Sequence, residues 1–291
     1  MPVRNSESMD IPFLLPGRIV SVPGRGEMFV RHFHHSNPIA PTVLLVHGWT
    51  ASCDVQFFTT YEALSHDYSI IGVDHCGHGR GVRPNVPFSL EECADDAAAV
   101  VRALSVTKVI TVGYSMGGPI SILIQHRHPE LVAGMVFQAT AREFNSTRSE
   151  RNRWRVLTVF GPLFRLVSTP RLTRTVLHRL LGRGHEMRRY VPWIIGETGR
   201  NDVRMVNQAG RALSRFVAPQ IVNSFDVPTS CVITTRDRGV LPELQYALAK
   251  AYGSEIVELQ GDHSVTLQQP HEYATATCRA VNLVVAAIQQ R

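Results

Sequence analysis

Ser115 stands in Gly113-Tyr114-Ser115-Met116-Gly117, directly after the apolar run ending at Val112 and directly before a helical pattern. A serine hydroxyl becomes a nucleophile when a neighbouring base takes its proton. Glycines two residues to either side permit a sharp, strained strand-to-helix turn that lifts the hydroxyl above a sheet. The start of the following helix brings backbone N–H groups and the positive end of the helix dipole near the reacting oxygen. A second glycine, Gly118, reinforces the pattern. The bland alternative is a tight glycine turn with a solvated serine.

The base should be a histidine on a loop near the C-terminus. His263, in Gln260-Gly261-Asp262-His263-Ser264, follows the last strand-like run and fits. His271 competes, but it follows Pro270 at a helix start. An acid must hold the imidazole in the right tautomer and stabilise its charged form. Asp237 lies just past the run 230–234, where a parallel strand would aim it into the ligand crevice. Glu143, after the run 133–137, remains an alternative. Asp226 precedes a strand and so lies at its wrong end, and Asp262 adjoins His263 too closely to address its ring. Charge developing on a carbonyl oxygen needs two backbone donors. The N–H groups of Met116 and of Trp49, in His47-Gly48-Trp49 after the run ending at Val46, are the expected pair. His47 reads as a structural side chain that bonds its own turn. The chemistry these residues could do is acyl transfer through an acyl-serine, with no metal or organic cofactor.

The elements that must position them are short apolar runs. Thr42–Val46, Ser69–Val73, Lys108–Val112, Ala133–Phe137, Ser230–Thr234 and Glu255–Leu259 suit strands buried on both faces. Helical patterns lie between them at 90–104, 117–128 and 242–252, and another closes the chain at 273–290. Ser89 reads as the N-cap of the first, with Glu92 three residues on. Strands alternating with helices imply βαβ units and a mainly parallel sheet. Ahead of them, 19–22 and 28–33 flank Pro23-Gly24-Arg25-Gly26, a hairpin signal.

The stretch 142–215 breaks this rhythm. It holds sixteen arginines against five acids, whereas the whole 291-residue chain has a net charge of only +6. It reads as an inserted helical cap, with 1–141 and 216–291 forming the α/β core. Leu172, Val176, Leu177, Leu180 and Leu181 make an apolar stripe at helical spacing. Gly161-Pro162 and Thr169-Pro170 divide the insertion into short helices. Trp154, Leu157, Phe160, Leu163, Phe164, Val167 and Trp193 would wall a pocket over the sheet end.

A hydrophobic fraction of 44% with 19% charged residues excludes a disordered chain. No apolar run is long enough to span a membrane, and the N-terminus makes a poor secretory signal. The five cysteines are scattered, which argues against a disulfide framework or a zinc site and suits a reducing cytoplasm. There is no P-loop, no dinucleotide-binding glycine motif and no nucleic-acid recognition motif, so no nucleic-acid partner is expected. The arginine face of the cap could dock peripherally on an anionic membrane or hold carrier phosphates. A solvated face is the blander account of it.

His47-Gly48-Trp49, Asp74-His75-Cys76-Gly77-His78-Gly79-Arg80, Gly113-Tyr114-Ser115-Met116-Gly117-Gly118, Asp237 and Gly261-Asp262-His263 together resemble the α/β-hydrolase superfamily. The resemblance is to its serine esterase and lipase branch, with the cofactor-free haloperoxidase-like hydrolases. It spans the core on both sides of the insertion. It implies a mostly parallel central sheet with helices on both faces, an inserted helical cap, and the order Ser115, Asp237, His263. Arg80 departs from the family, where many relatives carry serine. The serine nucleophile argues against the branches that use aspartate.

The resemblance implies a serine hydrolase cleaving carboxylic esters, with long-chain or lipid-like esters as one expectation. A thioesterase, an acyltransferase, a perhydrolase or a carbon–carbon bond hydrolase could use the same residues. A ligand-binding or signalling protein that keeps the fold is the alternative of another class.

Overall fold

Val43, Leu44, Leu45 and Val46 are all inaccessible to solvent. Burial does not alternate along them, so the strand that carries them lies between two layers. The computed structural model describes residues 11–146, 148, 150–152, 154, 169–218 and 227–291, and this strand is β3 (Thr42–Val46) of an eight-stranded sheet. The others are β1 (Gly17–Val22), β2 (Gly26–Phe33), β4 (Ser69–Val73), β5 (Val109–Tyr114), β6 (Val132–Gln138), β7 (Thr229–Thr234) and β8 (Glu255–Leu259). Their spatial order is β1-β2-β4-β3-β5-β6-β7-β8. Strands β3 to β8 are mutually parallel, and β2 runs against both β1 and β4.

Helices cover both faces. On one side α2 (Leu90–Ala103), α3 (Gly117–Arg127) and α7 (Pro242–Tyr252) share a core with Leu44, Val46, Met135 and Ile233. On the other, α1 (Cys53–Ser65) and α9 (Pro270–Gln289) pack on Val43, Leu45, Val112 and Val136. Each such aliphatic side chain contributes about 1.5–3 kcal/mol when fully buried. Ser89 does cap α2, accepting the N–H of Glu92 at 3.0 Å. The closing helix starts at Pro270, three residues ahead of the expected Tyr273, because proline is tolerated in the first turn.

Between β6 and β7 the described chain forms α4 (Pro170–Leu181), α5 (Val191–Thr198) and α6 (Val203–Arg215). A single antiparallel bridge, Glu143 to Val217, ties the two ends of this segment together. Trp193 is buried and meets Phe58 of α1 edge-on, with ring centroids 5.1 Å apart. The stripe on α4 is only partly used. Leu181 is buried, but Leu172 and Val176 stay exposed. Leu157, Phe160, Leu163, Phe164, Val167 and Asp226, and the Gly161-Pro162 break, lie outside the described residues. No described helix is long and apolar enough to cross a membrane.

Candidate active site

The order of the strands reverses at β3. Its successor β4 lies on one side of it and β5 on the other. In an open parallel sheet, the crevice at the carboxyl ends of such a pair is where ligands bind. The loop after β3 carries His47-Gly48-Trp49, and the turn after β5 carries Ser115.

Ser115 has a φ of +52°, in the left-handed region. This strained turn is held from three directions. Ser115 N–H donates to the carbonyl of Gln138 at 2.9 Å, and its own carbonyl accepts Gly118 N–H at 2.9 Å and the Thr140 hydroxyl at 2.7 Å. The flanking glycines are a steric requirement. A Cβ on Gly117 would lie 2.0 Å from the carbonyl oxygen of Val46, and one on Gly113 would lie 2.4 Å from that of Gly117.

The Ser115 hydroxyl lies 3.1 Å from Nε2 of His263. The other ring nitrogen, Nδ1, lies 2.8 Å from Oδ2 of Asp237. A carboxylate only accepts, so Nδ1–H donates to Asp237 and Nε2 is left to accept from Ser115. Asp237 is buried in a shell of donors. Its Oδ1 accepts the N–H groups of Gly239 and Val240, at 2.7 and 2.8 Å. Its Oδ2 also accepts the Thr234 hydroxyl at 2.7 Å and Gln245 Nε2 at 3.3 Å. Asp262 stays off the ring, as its sequence position implies. It accepts the backbone N–H of His263 at 2.7 Å and pairs with Arg238. Glu143 sits in the bridge to Val217, and His271 pairs instead with Glu186 at 3.1 Å.

Met116 is fully buried and caps the N-terminal end of α3. Trp49 lines a cleft of about 190 Å³ together with Ser115, His263 and Tyr114. The Trp49 indole donates to the carbonyl of Val206 in α6 at 2.7 Å and lies 5.6 Å from the ring of Trp154, which anchors this loop.

His47 does bond its own turn. Its Nδ1–H donates to the carbonyl of Gly48 at 2.8 Å, and its Nε2 accepts the N–H of His75 at 3.0 Å. His75 returns a bond through Nε2 to the carbonyl of His47 at 3.2 Å. His47, His75 and His78 are all buried. Burial drives His75 down to about 3 and His78 to about 4, and pushes His47 well below its ordinary value. All three are neutral near pH 7, and for His47 the bond that its Nε2 accepts requires this. Among the described residues, no group of three or more His, Cys, Asp and Glu side chains is arranged to hold a metal.

A family model for the alpha/beta hydrolase fold matches residues 41–270, which include every residue placed around the cleft. The chain belongs to the alpha/beta hydrolase fold family. Among curated relatives, it is 30% identical over 112 residues to the AB hydrolase superfamily protein YisY of Bacillus subtilis, covering 38% of this chain and 40% of that one. It is 36% identical over 76 residues to a non-heme chloroperoxidase of Streptomyces lividans, covering 26% of this chain and 28% of that one. The matched stretches thus span well under half the length of these relatives. An esterase from Exiguobacterium antarcticum superposes with a TM-score of 0.77 at 18% identity, covering 92% of this chain and all of that one.

Several residues that shape the site of this alpha/beta hydrolase gave no signal in the sequence. Gln245, on α7, accepts Thr234 N–H at 3.0 Å and donates to the Thr234 hydroxyl at 2.9 Å and the Val240 carbonyl at 2.7 Å, which fixes the loop that carries Asp237. The Tyr114 hydroxyl donates to the carbonyl of His263 at 2.7 Å. Asn201 donates to the carbonyl of Thr50 at 2.7 Å and accepts the N–H of Gly79 at 2.8 Å, which joins the loops after β3 and β4. The contacts of Tyr114 and Asn201 cross 122 to 151 residues of chain, a range that local pattern cannot reveal.

Proposed function

We infer that the protein is a serine hydrolase that cleaves carboxylic esters through an acyl-enzyme. The observation that carries this reading is the line of hydrogen bonds from Ser115 to His263 and on to Asp237, at 3.1 and 2.8 Å, opening on the cleft. His263 Nε2 takes the proton of Ser115 as Oγ attacks the carbonyl carbon. Asp237 holds the tautomer and stabilises the imidazolium. The N–H groups of Trp49 and Met116 receive the charge that develops on the carbonyl oxygen. His263 then gives its proton to the leaving alcohol, which departs as the acyl-serine forms. Water enters, loses a proton to His263 and attacks the acyl carbon. His263 returns that proton to Ser115 Oγ, and the carboxylic acid is released.

The cleft, about 190 Å³ between the described residues, has room for a compact acyl group. The family membership and the esterase-like fold support ester hydrolysis as the reaction. Labelling with a fluorophosphonate probe tests the nucleophile. The wild-type protein should label stoichiometrically, and Ser115→Ala should not label at all. Wild-type protein that stays unlabelled but is stabilised by small ligands would favour a binding protein on this fold.

A further inference from the structure

Ala51, Val55 and Leu267 give the cleft beside Ser115 apolar walls, as is usual for a small-molecule site. Gln56 breaks that pattern. It is the fourth residue of α1, is 7% exposed, and lines the same cleft as Ser115 and His263. Among the described residues, no hydrogen bond engages its side-chain amide. The amide keeps contact with the open cleft, so a bound molecule can take up hydrogen bonds that water otherwise supplies.

The amide also lies where an acyl group would reach it. A Cβ on Gly48 would fall 3.2 Å from Gln56 Oε1 and 3.3 Å from Ser115 Cβ, so the amide oxygen and the side chain of the nucleophile both lie beside that glycine. Thr266, at the start of the short helix α8 (Val265–Gln268), lines the cleft as well and is equally buried. Among the described residues, no lysine, arginine, aspartate or glutamate lines the cleft. At about 190 Å³ the cleft holds roughly six water-sized volumes, enough for a short acyl chain.

We propose that Gln56 determines specificity by hydrogen-bonding a neutral polar group on a short acyl chain, so that the preferred substrates are esters of small oxygen- or nitrogen-bearing acids. This rests on the ester-hydrolase reading. The polar atom would sit two or three bonds from the scissile carbonyl, with the Gln56 N–H donating to it or Oε1 accepting from it.

Two isosteric pairs of p-nitrophenyl esters test this: methoxyacetate against butyrate, and 3-hydroxybutyrate against 3-methylbutyrate. The ratio of kcat/KM within each pair is measured for wild type and for Gln56→Met, with melting curves recorded for both. Dividing one ratio by the other cancels the intrinsic reactivity of the esters. The polar-to-apolar ratio should fall about tenfold in Gln56→Met for at least one pair, the size of one lost hydrogen bond. Gln56→Leu replaces the methionine variant if that one melts early. Ser115-dependent turnover with unchanged ratios, or an equal loss on both members of each pair, overturns the role of Gln56 and leaves the hydrolase reading intact. No Ser115-dependent turnover on any of the four esters overturns the hydrolase reading, and the role of Gln56 falls with it.

Discussion

The guanidinium of Arg80 reaches both carboxylate oxygens of Glu197, at 2.6 and 2.8 Å, across 117 residues of chain. The same guanidinium lies 3.4 Å from Asp54, whose carboxylate is gripped by Arg31 at 2.9 and 2.7 Å. Asp54 lies on α1 and Glu197 on α5, so the core and the segment between β6 and β7 meet through one charged cluster. The pairing with Glu197 gives an arginine at this position a structural reason.

Removing that arginine should be costly. Both carboxylates are largely buried. Without Arg80, Asp54 keeps Arg31, but Glu197 keeps, among the described residues, only the exposed Arg200 at 3.3 Å. Weakening the partner of a buried charge is destabilising. Arg80 itself keeps some exposure, which tempers the effect. Arg80→Met should lower the free energy of unfolding by about 2–3 kcal/mol, and Arg80→Met with Glu197→Met should recover most of the loss. Denaturant titration of the two variants checks this. A loss as small as that of an exposed pair would mean that solvent screens the cluster.

The acid that serves His263 can be told from its rival by kinetics. Asp237→Asn keeps the shape of the side chain but offers His263 an amide where an acceptor-only carboxylate stood. Turnover should drop by about 10⁴-fold, by analogy with the serine protease triad, with little change in KM. Glu143→Gln should stay near wild type. A small loss at 237 beside a large one at 143 would reassign the acid.

The buried histidines predict how stability responds to acid. The pKa of His78 is lowered by burial to about 4, against an ordinary value of 6.5. A lowered folded-state pKa means that the stability is present above 6.5 and is lost as pH falls toward 4. The loss from this residue amounts to roughly 3 kcal/mol over that window. Asp74 works in the opposite direction, because burial pushes its carboxyl up to about 6. The cleaner readout is therefore the difference between wild type and His78→Gln. Unfolding midpoints measured from pH 7 to pH 4 should fall more steeply for wild type. Parallel slopes would show that His78 takes up no proton on unfolding.

Much of this arrangement could be read from residue types alone. Strands β3, β4 and β5 are short, mainly apolar runs whose burial does not alternate, and each catalytic candidate follows the end of a strand within four residues. The turn at Ser115 carries its own signature, since only glycine fits at 113 and 117. Helix α1 could not be read in this way. It sits against both the sheet and α9, and Asp54, Gln56 and Thr60 are buried beside Phe57, Phe58 and Tyr61, so no polar face marks it as amphipathic. Gln56 stayed hidden for the same reason. The stripe on α4 misled in the other direction, because a helical period shows which residues share a face but not whether anything covers it. The pairing of Arg80 with Glu197 has no local signature at all.

The central claim is that Ser115 is the nucleophile of an ester hydrolase. The most direct measurement is hydrolysis of p-nitrophenyl esters from acetate to palmitate by wild type and by Ser115→Ala, with melting curves to show that both are folded. Wild type should turn over the shorter esters, and Ser115→Ala should lose nearly all of that activity while melting normally. Equal activity in the folded Ser115→Ala variant would contradict the account.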